Sequence, residues 1–212
     1  MEIERKLLLA DREAWRALAG CLRGLHLLHQ DNHFLDDTES AWRAAALAVR
    51  VRVVDDCAWL TLKGAATSAD GFQVRSEWEG ELTLSQRRTL LAGGPAATSL
   101  VIDWMQTRGL TAPPEIRRPL RVVASFPNVR GLGWWMAADG EAWEIALDES
   151  HYPDGSVVHE LELELHDADA DAALRALEEL LRCSSVQARP STVSKRQRLG
   201  AALGEPNDES RP

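Results

Sequence analysis

The residues best suited to chemistry in this sequence are ionisable side chains set two apart in short stretches. They are Glu2-x-Glu4-x-Lys6, Arg50-x-Arg52, Lys63, Arg75-x-Glu77-x-Glu79, Arg130, Glu144, Asp148 and Glu160-x-Glu162-x-Glu164. On a strand, residues two apart share a face and lie about 6.5–7 Å from one another. That is close enough for neighbouring carboxylates to hold hard divalent cations through oxygen. Three glutamates on one face repel each other unless a cation neutralises them. Arginine grips phosphate oxygens in a bidentate fork, and lysine acts as a mobile point charge. Acidic strands for a metal beside basic strands for phosphates is the division of labour that phosphoryl transfer requires. A wet face of an antiparallel sheet carries the same alternation, so the residues alone leave both readings open.

Periodicity shows the elements that must position these side chains. Residues 1–9 read as a strand, with Glu2, Glu4 and Lys6 on one face and Ile3, Arg5 and Leu7 on the other. Asp11 is placed to cap a helix over 12–23, with Trp15, Leu18 and Leu22 at helical spacing. A short strand follows near His29–Leu35. Leu47–Val54 and Ala58–Lys63 read as a hairpin turning at Asp55-Asp56. Gly64–Gly71 reads as a loop, Phe72–Gly80 as a strand, and Ser85–Leu91 and Pro95–Arg108 as helices. Arg121–Phe126 and Val129–Met136 are expected as strands interrupted at Pro127-Asn128, followed by Glu141–Leu147 and Val157–His166. Asp167 is expected to cap a helix running to about Cys183, Ser194–Leu203 to form a last helix, and residues 204–212 a disordered tail. Short connections make the strands mostly antiparallel. The fold class is α+β, with a closed sheet sparing long exposed edges.

A chain of 212 residues, 45% apolar, fits a single domain over residues 1–203. No stretch approaches the ~20 apolar residues that span a bilayer. Nothing at the start resembles a signal peptide, and Cys21, Cys57 and Cys183 are scattered as free thiols are. A cytoplasmic protein is therefore expected. The net charge of −9 argues against a nucleic-acid partner, yet leaves room for an anionic ligand in a local basic pocket. His26, His29, His33, His151, His159 and His166 are read as surface or packing residues, and no chemistry attaches to the eight tryptophans.

In order along the chain, these motifs resemble the CYTH superfamily, the triphosphate tunnel metalloenzymes. The ExExK signature appears as Glu2-x-Glu4-x-Lys6, and an aromatic-Asp-Thr-like segment as His33-Phe34-Leu35-Asp36-Asp37-Thr38. The paired arginines stand in Val49-Arg50-Val51-Arg52, and the LTLKG element is Leu60-Thr61-Leu62-Lys63-Gly64. An R-x-E-x-E element is Arg75–Glu79, the ELALD-like strand Glu144–Asp148, the ExExE-like strand Glu160–Glu164, and the SK element Ser194-Lys195. The resemblance implies an eight-stranded antiparallel β-barrel whose charged interior is a tunnel, with helices packed outside.

It further implies that Lys6, Arg50, Arg52, Lys63, Arg130 and Lys195 hold a polyphosphate. Arg75 joins them in part of the family, with a salt bridge to Glu77 or Glu79 as the other reading. Arg121 is the alternative to Arg130. Asp148, Glu160 and Glu162 would hold one Mg²⁺ or Mn²⁺ ion, and Glu2 and Glu4 a second that activates water, so Glu2, Glu4 and Lys6 are the expected catalytic set. The leading functional expectation is hydrolysis of inorganic triphosphate to pyrophosphate and phosphate. A class IV adenylate cyclase, a thiamine triphosphatase, and a non-catalytic polyphosphate or nucleotide sensor are the alternatives. Oligomeric state leaves no sequence signal.

Overall fold

In a computed structural model, the structure describes residues 1–69, 72–114, 116, 118–165, 169–191 and 193–204. The strands are β1 (Glu2–Leu9), β2 (Arg23–Asp36), β3 (Ala48–Val54), β4 (Cys57–Ala69), β5 (Phe72–Glu81), β6 (Arg121–Met136), β7 (Ala142–His151), β8 (Val157–Glu164) and β9 (Ala188–Pro190). The helices are α1 (Arg12–Ala19), α2 (Ala41–Ala44), α3 (Leu84–Ala92), α4 (Pro95–Gln106), α5 (Ala170–Ser184) and α6 (Lys195–Ala202). The strand order is β5-β4-β3-β2-β6-β7-β8-β1-β9, with β5 also pairing β1. The fold class is the expected eight-stranded antiparallel β-barrel with helices packed outside. The short β9 takes over the edge of β1 at Leu7–Leu9, beyond the three residues that pair with β5.

The chain divides into two compact units, and several strands run from one into the other. The first comprises Met1–His29, Ala66–Arg75 and Pro127–Pro212, and the second Gln30–Ala65 and Ser76–Phe126. In the first unit, alternation sends Leu7 and Leu9 of β1, Ile145 and Leu147 of β7, and Leu161 and Leu163 of β8 to one face. There they meet Trp15 and Leu18 of α1 and Ala173, Leu177 and Leu180 of α5. Asp11 caps α1, its carboxylate accepting from the Glu13 and Ala14 amides. Gly131 and Gly133 of β6 lie on that same apolar face. A Cβ on Gly133 would stand 3.0 Å from Leu22 Cβ and 3.3 Å from the Arg23 carbonyl oxygen. Only a residue without a side chain lets these backbones approach so closely.

In the second unit, Val49, Val51 and Val53 of β3 and Leu60 and Leu62 of β4 are buried against Ala97, Val101 and Met105 of α4. A capping box of Thr83 and Gln86 starts α3. Gly93 and Gly94 carry positive φ values of 71° and 89°, and Pro95 then opens α4.

Several boundaries differ from expectation. Helix α1 ends at Ala19 because the chain is needed for β2, which starts at Arg23 and is twice as long as its apolar stretch suggests. Residues 64–69 are strand, not loop, since small polar residues serve an edge as well as a turn. Pro127 does not interrupt the sheet: β6 runs unbroken from Arg121 to Met136. Asp169, rather than Asp167, caps α5, its side chain accepting from the Asp171 amide. Asp167 and His166 lie outside the described residues, as do residues 205–212 of the expected tail. Cys21, Cys57 and Cys183 are free thiols. Among the described residues, no helix is long and apolar enough to cross a membrane.

Candidate functional site

The face of β6, β7, β8 and β1 turned away from α1 and α5 carries a cluster of charges in the first unit. Register arranges them in rungs across the strands. Arg130 pairs with Asp148, Asp148 with Glu160, and Glu160 with Leu8. One rung on, Leu132 pairs with Ala146, Ala146 with Glu162, and Glu162 with Lys6. In the rung after that, Glu164 pairs with Glu4. Antiparallel pairing thus brings the expected Lys6, Arg130, Asp148, Glu160 and Glu162 onto one small patch.

Their side chains form a dense ion-pair network. Arg130 forks onto Asp148, with Nε 2.9 Å from Oδ1 and Nη2 2.5 Å from Oδ2, and its Nη2 also meets Glu162. Lys6 Nζ lies 3.0 Å from Glu162 and 3.4 Å from Glu4. Lys195, the first residue of α6, places Nζ 2.6 Å from Glu162 and 2.8 Å from Asp148. The capping box of Ser194 and Gln197 aims this helix start at the sheet. Asn128 donates to Asp148 at 2.7 Å and accepts from Ser150 at 2.9 Å. Arg198, one helical turn after Lys195, donates to Glu160 at 3.2 Å.

Burial alone would push the Asp148 carboxyl up, but Arg130 and Lys195 outweigh it and hold it down at about 2. Glu162 is likewise held well below the carboxylate range, burial being overcome by Lys195, Lys6 and Arg130. Burial would lower the Lys6 ammonium pKa, yet Glu162 and Glu4 raise it. Asp148, Glu162 and Lys6 are thus held in their charged forms by one another and by Arg130 and Lys195. Any anion that enters competes with carboxylates for the same cations.

One group among the described residues has metal-ligand geometry. Glu2, Glu4 and Glu164 each offer an oxygen, all within 4.8 Å of one another. This all-oxygen donor set suits Mg²⁺ or Mn²⁺. Arg75 lies across two of its members, with Nε 2.5 Å from Glu2 and Nη2 2.7 Å from Glu4. Glu2 and Glu4 are thus among its partners. The first-unit carboxylates Asp148, Glu160 and Glu162 are instead threaded with cations. Glu160 still keeps Oε2 buried without a hydrogen bond, with Lys195 Nζ 4.0 Å away. Glu164 was visible in the sequence as the third glutamate of its strand, but only its register opposite Glu4 joins it to the first two. Asn128 and Arg198 are the other additions. Their signals were two-residue spacing from Arg130 and three-residue spacing from Lys195.

The second unit holds a charged cluster of its own. Arg52 Nη2 meets both oxygens of Glu79, at 2.8 and 2.9 Å, and Thr61 donates to the same carboxylate at 2.8 Å. Arg50 Nη2 is 3.9 Å from Glu79, and Lys63 Nζ is 2.7 Å from Glu77. Arg121 is exposed at the start of β6, whereas Arg130 is embedded in the network. The aromatic-Asp-Thr-like segment builds a turn. Asp36 accepts from the Asp37, Trp42 and Arg43 amides, Asp37 accepts from Glu39 and Ala41, and Phe34 stacks on Phe126. Of the histidines, His151 and His159 hold Glu149 at 3.0 and 3.1 Å, and His33 meets Ser125 at 2.7 Å. These are packing contacts.

A family model, the CYTH domain, matches residues 1–199. Among curated proteins, no sequence matches the chain. Among solved structures, the chain is similar to a candidate adenylyl cyclase from Hippeastrum, reported to have a dominant triphosphatase activity. The two share 22% identity and a TM-score of 0.80, over 100% of both chains. It is also similar to a candidate adenylate cyclase from Bacillus halodurans, at 20% identity and TM-score 0.63, over 93% of this chain and 96% of that one. A protein from Pyrococcus horikoshii follows at 17% identity and TM-score 0.55, over 94% and 98%. At these identities the structural likeness speaks for the fold alone.

Proposed function

Because the chain belongs to the CYTH domain family, we propose that it hydrolyses a triphosphate with a divalent metal, inorganic triphosphate being the minimal substrate. The observation that carries this reading is the neighbouring placement, on one face, of two kinds of group. The oxygen triad Glu2, Glu4 and Glu164 lies one rung from Lys6, within the network that includes Arg130 and Lys195. The Hippeastrum protein of the same fold, with its reported triphosphatase activity, supports the substrate class.

In this reading Lys6, Arg130 and Lys195 turn from Asp148 and Glu162 to phosphate oxygens. The released carboxylates, with Glu160, provide a second set of oxygen donors. Glu2, Glu4 and Glu164 would hold the ion, and Arg75, which meets Glu2 and Glu4, would then be available to phosphate oxygens. A divalent ion at these carboxylates supplies charge neutralisation on the phosphate oxygens and lowers the pKa of the attacking water. Lys6 and Arg130, buried and fully charged, stabilise the negative charge of the departing pyrophosphate without reorganising at the moment of reaction. Arg50, Arg52 and Lys63 are further phosphate contacts on the family resemblance alone, and Arg52→Ala tests them separately.

The test is phosphate release from inorganic triphosphate and ATP under Mg²⁺ or Mn²⁺, with products checked for cyclic AMP. Turnover of triphosphate that is lost in excess chelator is the expected result. Cyclic AMP and pyrophosphate as the main products from ATP would replace hydrolysis by cyclisation, and full activity in chelator would remove the metal from the mechanism.

A further inference from the structure

Asp148 is held at its two oxygens by groups of different kinds. Lys195 Nζ lies 2.8 Å from Oδ2, 2.6 Å from Glu162 Oε1 and 4.0 Å from Glu160 Oε2. That ammonium marks a point at which three carboxylates can meet one cation. Oδ1 instead accepts from the Asn128 amide at 2.7 Å, beside Arg130 Nε. Asn128 carries no charge, and Asn128, Ser150 and Asp148 are all buried.

Chemistry fixes which way that amide points. An ionised carboxylate only accepts, so the Asn128 amino group faces Asp148 and its carbonyl faces away. Ser150 Oγ donates to that carbonyl at 2.9 Å, which holds the amide in this sense. Asn128 and Ser150 are strand partners, and Ser150 follows Asp148 by two residues on the same face of β7. The chain Ser150–Asn128–Asp148 is therefore built on the paired strands β6 and β7, whereas Lys195 reaches Asp148 from the start of α6. A side chain from a helix can leave while groups on paired strands keep their geometry.

We propose that Asn128, locked by Ser150, is a positioning residue that keeps Asp148 Oδ2 aimed at the cation point after Lys195 has turned to phosphate. This rests on the triphosphate reading for the departure of Lys195 and Arg130. Without them, a carboxylate lacking other partners is free to rotate about its broad χ2 torsion. Asn128 has no charge to draw it onto phosphate, so it stays on Oδ1. A divalent ion arriving with the substrate then meets an oxygen donor already in place. Partners one step behind a metal ligand set its affinity in this way.

The test compares the wild type with Asn128→Leu, which changes no charge and little volume, and with Ser150→Ala. Mn²⁺ binding is read by electron paramagnetic resonance, with and without the diimido analogue of inorganic triphosphate, whose P–N–P bridges resist hydrolysis. Calorimetry reads binding of the analogue without metal. With the analogue present, Asn128→Leu is expected to weaken Mn²⁺ binding about tenfold, and Ser150→Ala by a smaller factor in the same direction. Mn²⁺ binding without the analogue, and metal-free analogue binding, should stay within about twofold, well inside that effect. Unchanged Mn²⁺ binding by Asn128→Leu beside the analogue overturns the role. An equal loss of metal-free analogue binding also overturns it, since the defect would then lie in the fold of the whole patch. If Asn128→Leu does not fold, Ser150→Ala decides by the same criteria. If the wild type releases no phosphate from triphosphate but the Mn²⁺ pattern holds, the hydrolytic reading fails and the positioning role stands. Phosphate release by the wild type with Mn²⁺ binding unaltered in both variants gives the converse.

Discussion

Replacing Lys6 by methionine separates a phosphate contact from structural cement. The side chain is 3% exposed and bridges Glu162 at 3.0 Å and Glu4 at 3.4 Å. Methionine keeps the length and removes the charge. Breaking a buried ion pair by deleting one partner costs about 3–5 kcal/mol when the other charge is stranded. Here Glu162 keeps Lys195 and Arg130, and Glu4 keeps Arg75. The loss should fall below that range, at about 1–2 kcal/mol, with net hydrogen bonds to charged groups worth a similar amount. A midpoint shift in urea with unchanged slope measures it. Catalysis should suffer more, because a preorganised donor to the developing charge is worth about 10²–10³ in kcat. Phosphate release from inorganic triphosphate under saturating Mg²⁺ provides the number. A variant that folds with the modest stability loss yet turns over within threefold of wild type would falsify the placement of Lys6 at the reacting phosphates.

Other expectations follow from single contacts. Asp36→Ala removes the acceptor for three amides and should destabilise the fold by about 1–2 kcal/mol, as lost caps do, read by urea unfolding. Gly133→Val drives a branched side chain into Leu22 and the Arg23 carbonyl and should cost about 1–3 kcal/mol or more; a Tm equal to wild type would mean that β2 moves aside freely. Burial, opposed by Asp31 and assisted by Arg87, lowers the His33 pKa from its ordinary 6.5. The unfolded chain then binds the proton first as pH falls, so this residue withdraws stability below about pH 6.5. His33→Gln should lose less stability than wild type between pH 7.5 and 5.5, and an equal or larger loss would contradict the sign.

Much of the fold was written in alternation. The strand Val157–Glu164 announced both its faces, because an exchange would set glutamates without cation partners against the apolar core. Composition could not place the end of β4 or show that β6 continues through Pro127. Small residues at 64–69 have weak local preference, and Pro127, though it lacks a donor, is carried within the strand by its neighbours' pairing. For the site, sequence spacing supplied pairs within a strand but not partners across strands. Glu164 joins Glu2 and Glu4 only because the β1–β8 register sets it opposite Glu4. The contacts of Arg75 with Glu2 and Glu4 were hidden for the same reason, since β1 stands far away in sequence.

The pairing of β1 carries a consequence for how the chain is made. Its Glu4–Leu8 edge waits for Glu160–Glu164, and the far side of Leu7–Leu9 waits for Ala188–Pro190. During synthesis, the strand that bears Glu2, Glu4 and Lys6 meets its β5 partner first, and its β8 and β9 partners emerge more than eighty residues later. Closing contacts of such long sequence separation are slow to form and expose strand edges meanwhile. Assembly of the charged patch is thereby a late event of folding, and a chaperone that shields β1 would act before any of the site exists.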